Sequence, residues 1–268
     1  TAREVATPAC TATSTAVTVS EPSAISASAS AGSITCNGGS TTLTVTATGG
    51  TGSLQYSLNG GAFQGGNTFT VNAAGSPYTV TVQDANNCTA TTSAVTVSQP
   101  SAISASASAG SIACNGGTTT LTVTATGGTG SLQYSLNGGA FQAGNTFTVN
   151  AAGSPYTVTV QDANNCTATT SAVTVTEPSL LSATASATPV TTTGGSDGTA
   201  TAIPVGGTSP YTYLWTPGGQ TTITATGLIA GSYSVLVTDF NGCTATANTT
   251  VGSPACSIAV SASAGSIL

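Results

Sequence analysis

Cysteines and carboxylates carry nearly all the chemistry this chain can offer. Its 268 residues include seven Cys and seven acidic side chains, but only one basic residue, Arg3, and no His or Met. Cys36 and Cys114 each open a Cys-Asn-Gly-Gly run. Cys88 and Cys166 each follow Asp-Ala-Asn-Asn, Cys243 follows Asp-Phe-Asn-Gly, and Cys10 and Cys256 lie towards the two ends. The cysteines are widely spaced, with no CxxC pair, so a zinc site is not expected. A Ser-His-Asp triad is impossible without His, and no other constellation supports catalysis, so the chain is not expected to be an enzyme. Isopeptide cross-links are excluded too, because they require Lys. What remains is a disulfide framework with one cysteine left over, as in a secreted protein.

The carboxylates read as structural. Asp84, Asp162 and Asp239 each stand four residues before a Cys in a turn sequence. A lone Asp there ordinarily bonds its own backbone as an Asx-turn. Calcium needs several oxygen ligands and generally more than one carboxylate, so it would have to recruit carbonyls or a neighbouring repeat. No metal and no cofactor are expected. A net charge of −6 without a basic patch leaves nothing to neutralise phosphates, which argues against nucleic acid and anionic membranes as partners. No apolar run approaches the roughly 18 residues of a membrane span, so membrane insertion is not expected. No charged-then-apolar leader opens the chain, which reads as a processed product or an excised fragment. The Thr- and Ser-rich stretches are ordinary strand faces, with O-linked glycans as the alternative that would explain solubility at 3% charged residues.

The elements that must position these residues come in repeats. Residues 23–100 recur at 101–178 with five changes: Thr35/Ala113, Ser40/Thr118, Gly65/Ala143, Ser98/Thr176 and Gln99/Glu177. A diverged third copy spans 179–254. Residues 1–22 match the final strand of a preceding repeat, in Cys10–Val19, and 255–268 match the first strand of a following one, in Ile258–Ala264. Within the first copy, period-two alternation predicts strands near 24–31, 41–48, 53–58, 67–71, 77–84 and 88–97, with turns marked by Gly, Asn and Pro. Helix signals are absent. Leu43, Val45 and Ala47 point one way and Thr42, Thr44, Thr46 and Thr48 the other; Leu54, Tyr56 and Leu58 alternate likewise. The fold class is therefore all-β: tandem immunoglobulin-like β-sandwich repeats of about 78 residues in an extended rod, with Trp215 or its Leu counterpart on the central third strand. A unit this small buries roughly 60–65% of its surface and is marginal by itself.

The sandwich constrains the cysteines. The turn between the first two strands lies at the pole where the chain leaves a repeat, and the last hairpin turn at the pole where it arrives. Sulfurs a domain length apart cannot bond across a Cα–Cα span of roughly 4.4–6.8 Å. The head cysteine of one copy can instead reach the tail cysteine of the next, which pairs Cys36 with Cys166 and Cys114 with Cys243. Two alternatives stand beside this scheme: bonds within a repeat (Cys36–Cys88 and Cys114–Cys166), and pairing of neighbours such as Cys88–Cys114. In the first scheme Cys10, Cys88 and Cys256 are unpaired and become candidates for bonds to a neighbouring segment or subunit.

The run CNGG…LTVTATGGTGSLQYS…GSPYTVTVQDANNCTAT, with GGTSPYTYLW…GLIAGSYSVLVTDFNGCTAT in the third copy, resembles the SprB-type repeats of Bacteroidota cell-surface proteins. The resemblance implies a large secreted adhesin or filament, exported by the type IX route and, in the family's namesake, used in gliding motility. The third copy departs from the pattern, having TTTGGSDG where the others have CNGG, and no sorting domain is present. The expected function is the structural shaft of an extracellular adhesin or filament, with a glycan- or surface-binding adhesive module as the alternative. Expected partners are neighbouring copies of the chain, which its terminal strands would engage by β-strand addition, or adjacent repeats of a longer polypeptide, with surface glycans for the alternative.

Overall fold

Ser-Ala and Thr-Val alternation leaves one face of each strand apolar, and two such faces closed on each other give a sandwich. The computed structural model describes residues 12–254, with Ala2, Val5 and Pro8 before them. These residues fall into two units, Thr1–Ala102 and Ile103–Leu268. No helix occurs among the described residues.

The first unit contains β1 (Ser26–Ala31), β2 (Ser40–Thr48), β3 (Gln55–Leu58), β4 (Thr68–Asn72), β5 (Val80–Gln83) and β6 (Thr89–Thr91). They form two antiparallel sheets, ordered β1-β2-β4 and β3-β5-β6. Between the sheets lie Ile34, Leu43, Val45, Val71, Tyr78, Val80, Val82 and Val97. This is the strand order of an immunoglobulin-like sandwich, with the third strand on the second sheet. The predicted inward set on β2 is seen, Leu43 and Val45 being buried and Ala47 half-buried. The alternation is less clean on β3. Ser57 is buried between the half-buried Tyr56 and Leu58, because the following turn folds back and the Ser57 hydroxyl donates to Gly61 O at 2.6 Å.

The second unit holds two sandwiches. The first comprises β7 (Ser104–Ala109), β8 (Thr119–Thr126), β9 (Gln133–Leu136), β10 (Thr146–Val149), β11 (Val158–Gln161) and β12 (Thr167–Thr169), in sheets β10-β8-β7 and β12-β11-β9. The second comprises β13 (Ser182–Thr188), β14 (Gly198–Val205), β15 (Thr212–Thr216), β16 (Thr224–Leu228), β17 (Gly231–Thr238) and β18 (Thr244–Val251), in sheets β13-β14-β16 and β15-β17-β18. Each has its own core. Trp215, on β15, is fully buried at the centre of the third-repeat core, and its indole N–H donates to Thr222 O at 3.0 Å.

The strand predicted over 88–97 is interrupted. β6 ends at Thr91, and pairing resumes only as a bridge between Tyr78 and Val95. The buried Thr92 turns its hydroxyl into the ladder and accepts the Val80 N–H at 3.1 Å. From Val80 to Tyr78 is two residues and from Thr92 to Val95 three, so the extra residue makes a bulge. In the third repeat Ala247 faces Val235, Thr249 faces Tyr233, and β18 runs unbroken. Residues 12–22, which include part of the predicted lone strand Cys10–Val19, form no strand, and Val17 and Val19 are exposed. The predicted terminal strand Ile258–Ala264 lies outside the described residues.

Candidate functional site

Each tail cysteine sits on a turn organised by one aspartate. In the first repeat Asp84 Oδ1 accepts the N–H groups of Asn86 and Cys88, both at 2.9 Å, and Oδ2 accepts Thr51 N–H at 2.8 Å. The second repeat does the same with Asp162, Asn164, Cys166 and Thr129, and the third with Asp239, Asn241, Cys243 and Thr208. Thus the Asx-turn expected locally also reaches across the sandwich pole to a second loop. That loop must come close. Gly49 has φ +82°, and a Cβ there would stand 2.1 Å from Ala24 O, so only glycine is accommodated. The left-handed position of the cysteine turn is Asn87 or Asn165 in two copies and Gly242 in the third.

These N–H donors favour the ionised carboxylate. The Thr51 N–H bond is the leading influence on Asp84 and holds its pKa below the ordinary 3.8, against the opposing effect of burial. For Asp162 and Asp239 burial is the leading influence and pushes upward, but the combined N–H bonds from Thr129, Cys166 and Asn164, and from Thr208, Cys243, Asn241 and Gly242, carry both below 3.8. Among the described residues no group of three His, Cys, Asp or Glu is disposed to hold a metal ion.

The head loops lie at the other pole. Ile34 and Ile112 are buried and anchor the loops in their cores. Gly39 N–H donates to Cys36 O, and Gly117 N–H to Cys114 O, each at 3.0 Å, closing turns whose third residues, Gly38 and Gly116, have φ near +75°. A clasp not anticipated from the sequence ties each loop to the segment leaving its repeat. Asn37 Nδ2 donates to Pro100 O at 2.9 Å, and Gly38 N–H to Gln99 Oε1 at 2.7 Å. Asn115 Nδ2 donates to Glu177 Oε1 and Pro178 O, and Gly116 N–H to Glu177 Oε2. The Gln99/Glu177 exchange was the available signal, since both side chains present an oxygen at the same place. In the third repeat Thr192 replaces the head cysteine, and Asp197 accepts from the Thr191 backbone and hydroxyl to hold the loop.

Cys114 is bonded to Cys243, with Cα atoms 5.8 Å apart and a separation of 129 in sequence. The bond joins the head loop of the second repeat to the tail turn of the third. Asn241 Nδ2 reinforces it by donating at 3.0 Å to Ala113 O, next to Cys114, and to Thr208 Oγ1. Cys36 and Cys166 are each disulfide-bonded as well. Cys88 is free and exposed. Because Cys114 is committed to Cys243, neither Cys114–Cys166 nor Cys88–Cys114 forms, and with Cys88 free neither does Cys36–Cys88. Head and tail of one sandwich sit at opposite poles. Cys10 and Cys256 lie outside the described residues.

The SprB repeat family matches residues 28–63 and 184–220, which span β1 to β3 and β13 to β15. Two segments of the chain are thus similar to the SprB repeat. Residues 106–141 reproduce the first matched segment with two changes, at Ala113 and Thr118. No curated protein matches the chain in sequence. Similar solved structures include one on Dscam isoform specificity, at 13% identity over 84% of this chain and 72% of that one, with a TM-score of 0.27. Another contains the N-terminal four Ig domains of Dscam1 isoform 9.44, at 13% identity, 85% and 73% coverage and a TM-score of 0.27. At such scores the immunoglobulin-like assignment rests on the strand order of the sandwiches themselves. The chain is a repeat protein with disulfides, two segments of which resemble the SprB repeat, and no helix among its described residues is long and apolar enough to cross a membrane.

Proposed function

We propose that this chain is a shaft segment of an extracellular bacterial adhesin or filament, in which disulfides between consecutive repeats give stiffness without catalysis. The observation that carries this reading is the Cys114–Cys243 bond, which links two repeats rather than closing one. Tension along the chain must pass through the connection at Pro178–Ser179. A second covalent link across the same junction, with Asn241 bonded to Ala113 O, resists hinging there. The near-identity of residues 23–100 and 101–178 supports the same reading, because a shaft needs only repetition whereas a specialised binding site needs distinctive loops. Repeat equivalence maps Cys114 onto Cys36 and Cys243 onto Cys166, so the second staple of the proposal is Cys36–Cys166. Its partners are further repeats or further copies of the chain.

Peptide mapping under non-reducing conditions tests this. The chain has one Arg and no Lys, so pepsin replaces trypsin, and its low working pH also suppresses disulfide exchange. Linked peptides containing Cys114 with Cys243, and Cys36 with Cys166, are expected. Recovery of Cys36–Cys88 and Cys114–Cys166 would sink the proposal.

A further inference from the structure

The tail cysteine has the same surroundings in all three repeats, yet it is used in only two of them. Cys166 and Cys243 are in disulfides, whereas Cys88 is a free, exposed thiol. We propose that the turn carrying Cys88 is a receiving site for the Cys-Asn-Gly-Gly head loop of a further repeat, captured covalently by thiol–disulfide exchange. The inference rests on the reading that head-to-tail disulfides connect repeats.

Three observations converge on Cys88. Its backbone is held as in the occupied site: Asn86 and Cys88 N–H reach Asp84 Oδ1 at 2.9 Å each, against 2.9 and 2.8 Å for Asn241 and Cys243 on Asp239. In the occupied site Asn241 Nδ2 donates to Ala113 O, the carbonyl before the incoming cysteine. The equivalent amide of Asn86 makes no hydrogen bond among the described residues, so the donor for an incoming loop is present and unspent. The surface beside it is concave, lined by Glu21, Pro22, Ile25, Gly50, Asp84 and Cys88 itself. Within the chain the head cysteines Cys36 and Cys114 are already in disulfides, so the incoming loop belongs to another repeat.

The exchange balances without an added oxidant. The arriving head cysteine is held as a mixed disulfide with a low-mass thiol. Cys88 sulfur attacks the head-loop sulfur, that S–S bond breaks as the new one forms, and the small thiol leaves with the electron pair and takes the proton lost by Cys88.

The test uses the full chain and a peptide with the sequence of residues 30–40, Ser-Ala-Gly-Ser-Ile-Thr-Cys-Asn-Gly-Gly-Ser, its cysteine capped as the 2-thiopyridyl disulfide. Release of pyridine-2-thione gives the rate, and a scrambled peptide with the same cap is the reference. The expected result, read at Cys88 by peptide mapping of the products, is an adduct formed about tenfold faster than with the scrambled peptide, the ratio that one well-made hydrogen bond supports. Asn86→Ala should bring the ratio of the two rates towards one. Equal rates for both peptides in the native chain would overturn the proposal and leave Cys88 as a merely exposed thiol.

In material taken from the producing cell, Cys88 should be recovered linked to a Cys-Asn-Gly-Gly peptide; recovery as the free thiol would also overturn it. If the loop comes from a separate polypeptide, a slower band on a non-reducing gel disappears in Cys88→Ser. If it comes from the same polypeptide, the linked peptide is found with no change in gel mass. The Cys114–Cys243 peptide in the same digest separates failure of this inference from failure of the shaft reading.

Discussion

The three aspartates beneath the tail cysteines act as backbone-organising anions. Each has a native pKa below its ordinary 3.8. A depressed native pKa contributes stability that is complete above the unfolded value and is lost as pH falls through the native one. The melting temperature should therefore stay level from neutral pH down to about pH 5 and fall as acid titrates these groups below about pH 4. Asp239→Asn should flatten that acid slope for the third repeat alone. Trp215 is the sole tryptophan, so its fluorescence reports the third repeat specifically. The same side chain is the largest of the fully buried ones among the described residues. Trp215→Ala, read by circular dichroism, should destabilise that repeat by about 3–5 kcal/mol through the cavity it leaves.

At the scale of elements, a threonine decides where a strand stops. Thr92 and Ala247 occupy the same place opposite Val80 and Val235, yet only the threonine copy carries an extra residue and a hydroxyl in the ladder. Thr92→Val should leave the buried Val80 N–H without its side-chain acceptor, at a cost of about 1–3 kcal/mol in urea unfolding, with faster amide exchange at Val80 as the local signature. Most strands were legible because Leu43, Val45 and their Thr neighbours alternate. The break after Thr91 was not, because it depends on where a hydroxyl turns once a partner strand is present. The burial of Ser57 was not legible for a related reason: it comes from the turn that folds over it rather than from its own strand's pattern.

For the molecule as a whole, the second and third repeats keep separate cores, so their coupling rests on the linker, the disulfide and Asn241. A bond between residues 129 apart can contribute up to about 5 kcal/mol in the chain-entropy account, and less where the bridged segments fold by themselves. Cys243→Ser should consequently move the Trp215 fluorescence transition to lower denaturant while leaving the first unit's far-ultraviolet signal largely intact. An unchanged Trp215 transition would show that the staple adds nothing to the third repeat.

The sequence by itself determined the recurrence of residues 23–100 at 101–178, the two-faced strands, the scarcity of acid–base side chains and the aspartate turns, because each depends on residue type and short-range spacing. The cysteine types and positions narrowed the pairing to three schemes, and the poles of a sandwich favoured one. Tertiary structure decided what depends on loops distant in sequence meeting in space. It brought the Cys114 loop to the Cys243 turn, clasped Asn37 and Asn115 to the segments leaving their repeats, and left Cys88 exposed beside an unspent Asn86 amide. Alternation records which face of a strand is buried; it carries no record of which pole a loop reaches, and these contacts are made at the poles.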